Sequence, residues 1–321
     1  MTILVTGAAG FVGHHLCNYL AQRGHYVRAV DYKPPAFPAR ADEADWRCDL
    51  RRLDSAIEAV RGCSWVFALA ADMGGMGYIG YHHWEILRNN LLINLNTARA
   101  CELLGVQRVL YTSSACVYPE QLQGATSARE LAESDAWQGK PDTAYGVEKL
   151  VSEDLYTHMG AHAGVEVRIA RFHNIYGEEC AWRGGREKAP AALCRKVAQA
   201  KRIGQGEIEI WGDGEQTRSF CHISDCLEAL WRLMESDYEA PLNIGTDELT
   251  TINGLVDLIA GHAGLALGKR HDLGKPQGVR GRNADLTRMR LALGYTPQVS
   301  LREGISSRFW VAVELRAPSI R

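Results

Sequence analysis

Tyr145-Gly-Val-Glu-Lys149 sets a phenol and an ammonium four residues apart, on one face of a helix. A phenol of pKa near ~10 is a poor acid or base at neutrality. A fixed ammonium one turn away, joined by the positive charge of an oxidised nicotinamide, favours phenolate and is expected to lower that pKa. The pair could then move a proton while a nicotinamide moves a hydride. Taken alone, the spacing also fits an ordinary surface helix. It gains meaning from Ser113-Ser114 upstream and from a glycine loop near the amino end.

That loop, Gly7-Ala-Ala-Gly10-Phe11-Val12-Gly13, sits between a strand-like run and a helical one. Glycines there permit a tight turn, close approach of backbone to a pyrophosphate, and close helix–strand packing. The helix N-terminus adds free N–H groups and the positive end of its dipole. Asp31 ends the next strand-like run. Its carboxylate would accept hydrogen bonds from ribose hydroxyls and repel a 2′-phosphate, which favours NAD over NADP. Asp49 and Leu50 are candidates for the adenine edge, although Asp49 also reads as a turn residue.

Cys116 lies at the C-terminal end of a predicted strand, where open α/β sheets place ligands, and a thiol near pKa ~8.5 can be tuned either way. On residue type alone it reads equally as a core cysteine, and Lys188 as a solvated lysine. From Gly268 to Arg290 seven Lys or Arg stand against two Asp. This is either a solvated basic loop or a source of diphosphate ligands, for which the bidentate guanidinium is suited. His158 and His162 have i, i+4 spacing, but no Glu follows His158 and no third ligand is evident, so no metal is expected.

The elements that must hold these groups alternate. Strands are predicted at Ile3–Thr6, Tyr26–Asp31, Trp65–Leu69, Arg108–Thr112 and Val165–Ala170. Helices are predicted at Val12–Arg23, Ser55–Val60, Trp84–Leu104 and Tyr145–His158. This order implies an α/β fold with a doubly wound parallel sheet covered on both faces. Past Arg171 the rhythm breaks. One helix begins near Pro190, Leu242–Ile244 reads as a returning strand, and Ser300-Leu-Arg-Glu303 is a capping box opening a final helix that must end before Pro318. The expected division is residues 1–172 with about 217–245 as the dinucleotide domain. Residues 173–216 with 246–321 form a smaller C-terminal α/β substrate lobe, with a cleft between.

The chain has 321 residues with 36 Lys plus Arg and 38 Asp plus Glu, a formal net charge of −2. That balance argues against a general nucleic-acid or anionic-membrane binder. No apolar run approaches the ~18–20 residues of a membrane span. The nine cysteines are scattered, with no CxxC pair. The chain opens directly into a strand with no basic leader. Free thiols and the missing leader point to the cytoplasm.

Taken together, the glycine loop, Ser114, Tyr145 and Lys149 resemble the extended short-chain dehydrogenase/reductases that act on nucleotide sugars, which have a Rossmann fold. Within them the chain resembles the GDP-mannose 3,5-epimerases. The stretches that carry this likeness are Leu69-Ala-Ala-Asp-Met-Gly-Gly-Met-Gly77, Ser113-Ser-Ala-Cys-Val-Tyr-Pro-Glu120, Glu133-Ser-Asp-Ala-Trp137, Arg171-Phe-His-Asn-Ile-Tyr-Gly177, Gly184-Gly-Arg-Glu-Lys-Ala-Pro190, Trp211-Gly-Asp-Gly214, Gln216-Thr-Arg-Ser-Phe220 and Gly278-Val-Arg-Gly-Arg-Asn283.

The resemblance implies that Cys116 and Lys188 form an acid/base pair acting on carbon beside a transient 4-ketone, giving GDP-L-galactose or GDP-L-gulose. It further implies that Arg282, Lys196 and Arg218 hold the diphosphate, that Asn174 contacts phosphate or sugar, that Glu187 bonds the hexose, and that Gly74 passes close to it. Ala70 falls on the cofactor side. A homodimer built from the Trp84–Leu104 and Tyr145–His158 helices is implied as well. The chain departs from the family pattern at Gly80-Tyr81-His82, where Gln-Ser-Asn is usual. The rival readings are a GDP-4-keto-6-deoxymannose epimerase-reductase, against which Asp31 argues through its preference for NAD, and a non-catalytic NAD-sensing protein on the same fold. Such sensors commonly lose the tyrosine, which is present here. A 4,6-dehydratase would carry Asp-Glu at Ala115-Cys116.

Overall fold

The computed structural model describes residues 1–126 and 129–305. Seven strands form the central sheet: β1 (Thr2–Thr6), β2 (Tyr26–Val30), β3 (Glu43–Asp45), β4 (Trp65–Ala68), β5 (Arg108–Ser114), β6 (Glu166–Phe172) and β7 (Leu242–Ile244). Their order is β7-β6-β5-β4-β1-β2-β3, and every neighbouring pair is parallel. The order reverses at β1 and β4, the switch point at which doubly wound sheets open a crevice.

The strands run almost wholly apolar because both faces are covered. Ile3, Val5, Val27, Ala29, Phe67 and Leu110 pack against helices α1 (Phe11–Gln22) and α6 (Ile223–Glu235). Leu4, Val66, Val109, Tyr111 and Ile169 face α2 (Leu53–Val60), α3 (His83–Leu104) and α4 (Ala144–Ala163). The element predictions for this half hold to within a few residues. The edge strand β3 was not foreseen, since its three residues are all exposed and carry no apolar pattern.

A separate apolar cluster, with Leu193, Val197, Ile208, Ile210, Leu255 and Ile259, lies between helix α5 (Ala189–Ile203) and the helix Ile252–Ala263. Beside it a four-stranded sheet draws on distant segments in the order Leu249–Thr251, Thr217–Ser219, Gly281–Ala284, Glu130–Leu131. Thr217–Ser219 and Glu130–Leu131 are therefore hydrogen-bonded into this sheet. Both strands fall in the stretches expected for the dinucleotide domain and pair here with strands from the stretch expected for the second lobe. The Ser300/Glu303 capping box is present, with Ser300 Oγ accepting from Glu303 N. The helix is described over Leu301–Gly304, and the stop expected before Pro318 lies outside the described residues.

Candidate active site

The crevice opens where Gly7 follows β1. Gly7 has φ +67°, and a Cβ there would lie 2.8 Å from the Ala70 Cα at the end of β4. A Cβ on Gly13 would fall on the Gly7 carbonyl oxygen. The loop thus closes on itself and leaves a bare backbone surface. Gly10 caps α1 without any side-chain bond, so the first N–H groups of the helix stay open, with Phe11 and Val12 as its first residues. Asp31 is buried at the end of β2, where its carboxylate accepts from Ala9 N at 3.0 Å and Lys33 N at 3.3 Å. Burial raises its pKa against those two bonds. Leu50 is buried, and Asp49 is engaged by Arg51 Nη2 at 2.7 Å. An uncapped helix start behind a Cβ-free turn, with a carboxylate at the tip of the next strand, fits the pyrophosphate and ribose of NAD.

Thr143 caps α4 by accepting from Gly146 N at 3.2 Å, which fixes the turn carrying Tyr145. Ser114 closes β5, and its hydroxyl accepts from Cys116 N at 3.2 Å in the short turn Ala115–Val117. These two elements meet so closely that a Cβ on Gly146 would fall on the Cys116 carbonyl oxygen. Gly146 was not foreseen as a site residue. Its spacing inside Tyr-x-x-x-Lys gives no hint that it permits the contact.

Tyr145 and Lys149 are both buried. The Lys149 ammonium donates to Thr112 O at 2.9 Å and lies 5.7 Å from the Tyr145 ring centre. Burial pulls the Lys149 pKa down, opposed by Glu148, Glu153 and Cys116. The chain's own groups act on Tyr145 in the other direction. Burial drives its pKa well above the ordinary value, Cys116 and Glu148 push the same way, and the Ser114 hydroxyl opposes them. The lowering expected of Tyr145 therefore rests on the positive ring of a bound nicotinamide.

Cys116 is partly exposed and receives a hydrogen bond from Arg282 Nη1 at 3.3 Å. Lys188 sits at the N-cap of α5, on the second lobe. Burial lowers its pKa, the charge fields of Cys116, Cys180 and Cys226 raise it, and Arg282 lowers it further. The Met73–Gly77 loop clasps the segment that carries Lys188. Gly75 N donates to Arg186 O at 3.1 Å, and a Cβ on Gly75 would fall on the Glu187 carbonyl oxygen. Arg186 locks this clasp, pairing with Asp72 at 2.9 Å and stacking 3.6 Å over the Tyr78 ring. His82 stacks on the same ring at 4.4 Å, so the divergent Gly80-Tyr81-His82 stretch abuts the clasp. A Cβ on Gly74 would crowd Tyr78 Cβ at 2.9 Å. Arg186 went unremarked although it lies inside a quoted motif.

The other expected ligands line the second lobe. Arg282 and Arg218 are register partners on adjacent parallel strands. Arg282 bonds Gln123 through Nε, and its buried Nη2 has no hydrogen-bond partner among the described residues. Arg218 donates to the carbonyls of Thr217 and Val279, while burial and then Arg282 lower its pKa to about 9. Lys196 Nζ donates to Glu209 O at 2.8 Å, beside Trp211. Asn174 holds a left-handed φ of 46° and donates to Ser219 O. Glu187 receives Arg195 Nη2 at 3.1 Å on one oxygen, while its other, buried oxygen is unpartnered. The basic run at 268–290 resolves differently from its charge count. Lys269, Arg270, Arg280, Arg288 and Arg290 each pair with an acidic side chain elsewhere, and Arg282 alone of the seven reaches Cys116.

A family model described as the NAD dependent epimerase/dehydratase family matches residues 3–245. The chain is 42% identical over 322 residues to GDP-mannose 3,5-epimerase 1 of Oryza sativa subsp. japonica, covering 98% of this chain and 82% of that protein. It is 42% identical over 318 residues to GDP-mannose 3,5-epimerase of Arabidopsis thaliana, covering 98% and 83%. Among solved structures, MoeE5 in complex with UDP-glucuronic acid and NAD is similar at 31% identity and a TM-score of 0.82, over 97% of this chain and 99% of that one. UDP-glucose 4-epimerase of Thermotoga maritima shares the fold at a TM-score of 0.87 and 24% identity, over 97% and 98%. The chain belongs to the NAD dependent epimerase/dehydratase family, as an NAD-dependent epimerase.

Proposed function

We propose that this enzyme epimerises GDP-mannose at C5 and C3 through a transient 4-ketone, giving GDP-L-gulose and GDP-L-galactose. The observation that carries the reading is the meeting at Cys116 of two motifs. The Cys116 turn packs against α4 at Gly146, between Tyr145 and Lys149, its sulfur accepts from Arg282 on the other motif's side, and its charge field raises the pKa of Lys188. Simple oxidation and reduction at C4 needs only the first set.

Bound NAD supplies a positive ring and the hydride acceptor and donor at C4, ending each cycle unchanged. Tyr145, oriented beside Ser114, takes the proton of the C4 hydroxyl and later returns it. Lys149, pinned on Thr112 O, keeps positive charge near the phenol. The ketone acidifies C5–H and C3–H, because each carbanion is an enolate. Inversion then requires a base on one face and an acid on the other. Cys116 and Lys188 belong to different lobes and suit opposite faces. Burial brings Lys188 closer to neutrality, where it can both give and take a proton.

The unpartnered Nη2 of Arg282 and the unpartnered oxygen of Glu187 are an open donor and an open acceptor, suited to a phosphate oxygen and a sugar hydroxyl. Arg218, Lys196 and Asn174 complete the diphosphate side, Gly74 lets Tyr78 pack close beside the hexose, and Asp49, Leu50 and Ala70 flank the dinucleotide. Leu92, Leu95, Leu103 and Val151 are exposed on α3 and α4, which supports a homodimer through those helices. All nine cysteines are unpaired, which supports the cytoplasm. No helix among the described residues is long and apolar enough to cross a membrane.

Incubation of the NAD-loaded enzyme with GDP-mannose, followed by proton NMR, should show GDP-L-gulose or GDP-L-galactose signals with no net nicotinamide reduction. Turnover confined to a 4-keto-6-deoxy sugar with NADPH would contradict the reading.

A further inference from the structure

His14 and His15 stand together near the start of α1, their rings in edge contact with centroids 5.0 Å apart. The loop after Ile175–Tyr176 brings Glu178 and Glu179 against them. His14 Nε2 lies 2.6 Å from Glu179 Oε2, and His15 Nε2 lies 4.0 Å from the same oxygen. His15 Nε2 also lies 2.9 Å from the Glu178 carbonyl oxygen. The two nitrogens and the carboxylate oxygen fall within 4.8 Å of one another. We propose that this is a binding site for a divalent transition metal, zinc or a close analogue, held by His14, His15 and Glu179 with the Glu178 carbonyl or a water as fourth ligand.

Two imidazole nitrogens facing one carboxylate oxygen form a borderline N₂O donor set, which suits zinc, cobalt or nickel better than magnesium or calcium. Tetrahedral zinc with bonds of about 2.0–2.1 Å sets its ligand atoms about 3.3 Å apart. The observed 2.6 and 4.0 Å bracket that spacing, so small side-chain rotations of opposite sense admit the ion. His14 is buried, whereas the His15 and Glu179 side chains are 20% and 28% exposed, which leaves a path from solvent. His222 Nε2 at 3.5 Å from Glu178 Oε2 is the polar neighbour that holds the loop side in place, while the Asn18 amide, 3.3 Å from His14 Nε2, must give up that nitrogen to the ion.

The position gives the ion a consequence. Helix α1 begins at the glycine loop, and Glu178–Glu179 begin the segment that ends at Lys188. An ion here would tie the cofactor loop to the segment carrying Lys188. The site shares no residue with the proposed catalytic set.

The test is titration of the NAD-loaded chain with Co²⁺, read by its visible d–d absorption, followed by displacement with zinc. One saturable equivalent per chain is expected. Glu179→Gln and, separately, His15→Gln should each weaken it by at least about tenfold, since even residues behind the ligands change metal affinity about 10–100-fold. The double variant His158→Gln/His162→Gln should bind as the parent does. Zinc should raise the unfolding midpoint of the parent and of this double variant but of neither ligand variant. Either ligand variant suffices should the other fail to fold. Absence of a bound equivalent, or affinity and stabilisation unchanged in the ligand variants, would overturn the proposal.

Discussion

Arg282 Nη1 donates to the sulfur of Cys116 across 3.3 Å, from a strand in the second lobe to a turn at the end of β5. Gln123 fixes the same guanidinium through Nε, and Asp142 lies 4.0 Å from Nη2. The sulfur is therefore aimed by a group that, in the proposed mechanism, also turns an N–H toward the substrate. Arg282→Gln should cut carbon inversion by about 10²-fold, the scale of losing a positioned acid–base group, and raise KM. Reduction of bound NAD by substrate should survive. Arg282→Lys should rescue little, because a point charge cannot serve Gln123 and Cys116 together. Steady-state kinetics beside a cofactor-absorbance assay would separate the two effects.

Gly146→Ala puts a methyl group onto the Cys116 carbonyl oxygen. Helix α4 and the Ser114–Cys116 turn must then separate. We expect about 1–3 kcal/mol of lost stability, the usual scale of overpacking, with at least a tenfold fall in kcat because Tyr145 and Cys116 move apart. Thermal unfolding and kcat measured on the same preparation check this. An active, unshifted variant would show that the close approach is not required.

Burial holds the Lys188 pKa below the ordinary lysine value, near ~10.4. In the proposed mechanism the ammonium is the acid for one face. As pH rises through the lowered pKa that acid is lost, so inversion should fall at a pH below the free-lysine range. Lys188→Arg stays charged throughout and should lose both that limb and most of the rate. The pH profile of kcat for proton exchange at C5 is the readout.

His173 is buried, with Nε2 3.0 Å from Asn243 Oδ1, and burial lowers its pKa to about 3. The unfolded chain takes up this proton near pH ~6.5, while the folded chain refuses it until about 3. Between those values the unfolded state binds more protons, so stability must fall as pH falls. The midpoint should drop from pH 7 to 4 more steeply in the parent than in His173→Asn.

The dinucleotide half, the edge strand β3 apart, was legible because its strands centre on apolar runs bounded by glycine or polar residues, and because α3 and α4 are long. The second lobe was not. Its sheet is assembled from 130–131, 217–219, 249–251 and 281–284, each too short to carry a period. The charge count at 268–290 left two readings open for a related reason, since partners such as Asp213 and Glu133 lie far away in sequence. Gly146 and Arg186 act through contacts across the fold, which no local spacing reveals. The burial of Tyr145, which raises its pKa in the chain alone, was not legible, because helical spacing says nothing of how deeply the face is covered.

The central claim is that hydride transfer and carbon inversion use separate residues. Its most direct test is incubation with GDP-mannose in heavy water, with deuterium located by NMR. Solvent deuterium should enter C5, and C3 where that centre also turns over, but never C4. Cys116→Ser should lose about 10²–10⁴-fold of this uptake while its NAD remains reducible by substrate, and Tyr145→Phe should stop both events. Undiminished exchange in Cys116→Ser, or deuterium at C4, would contradict the account.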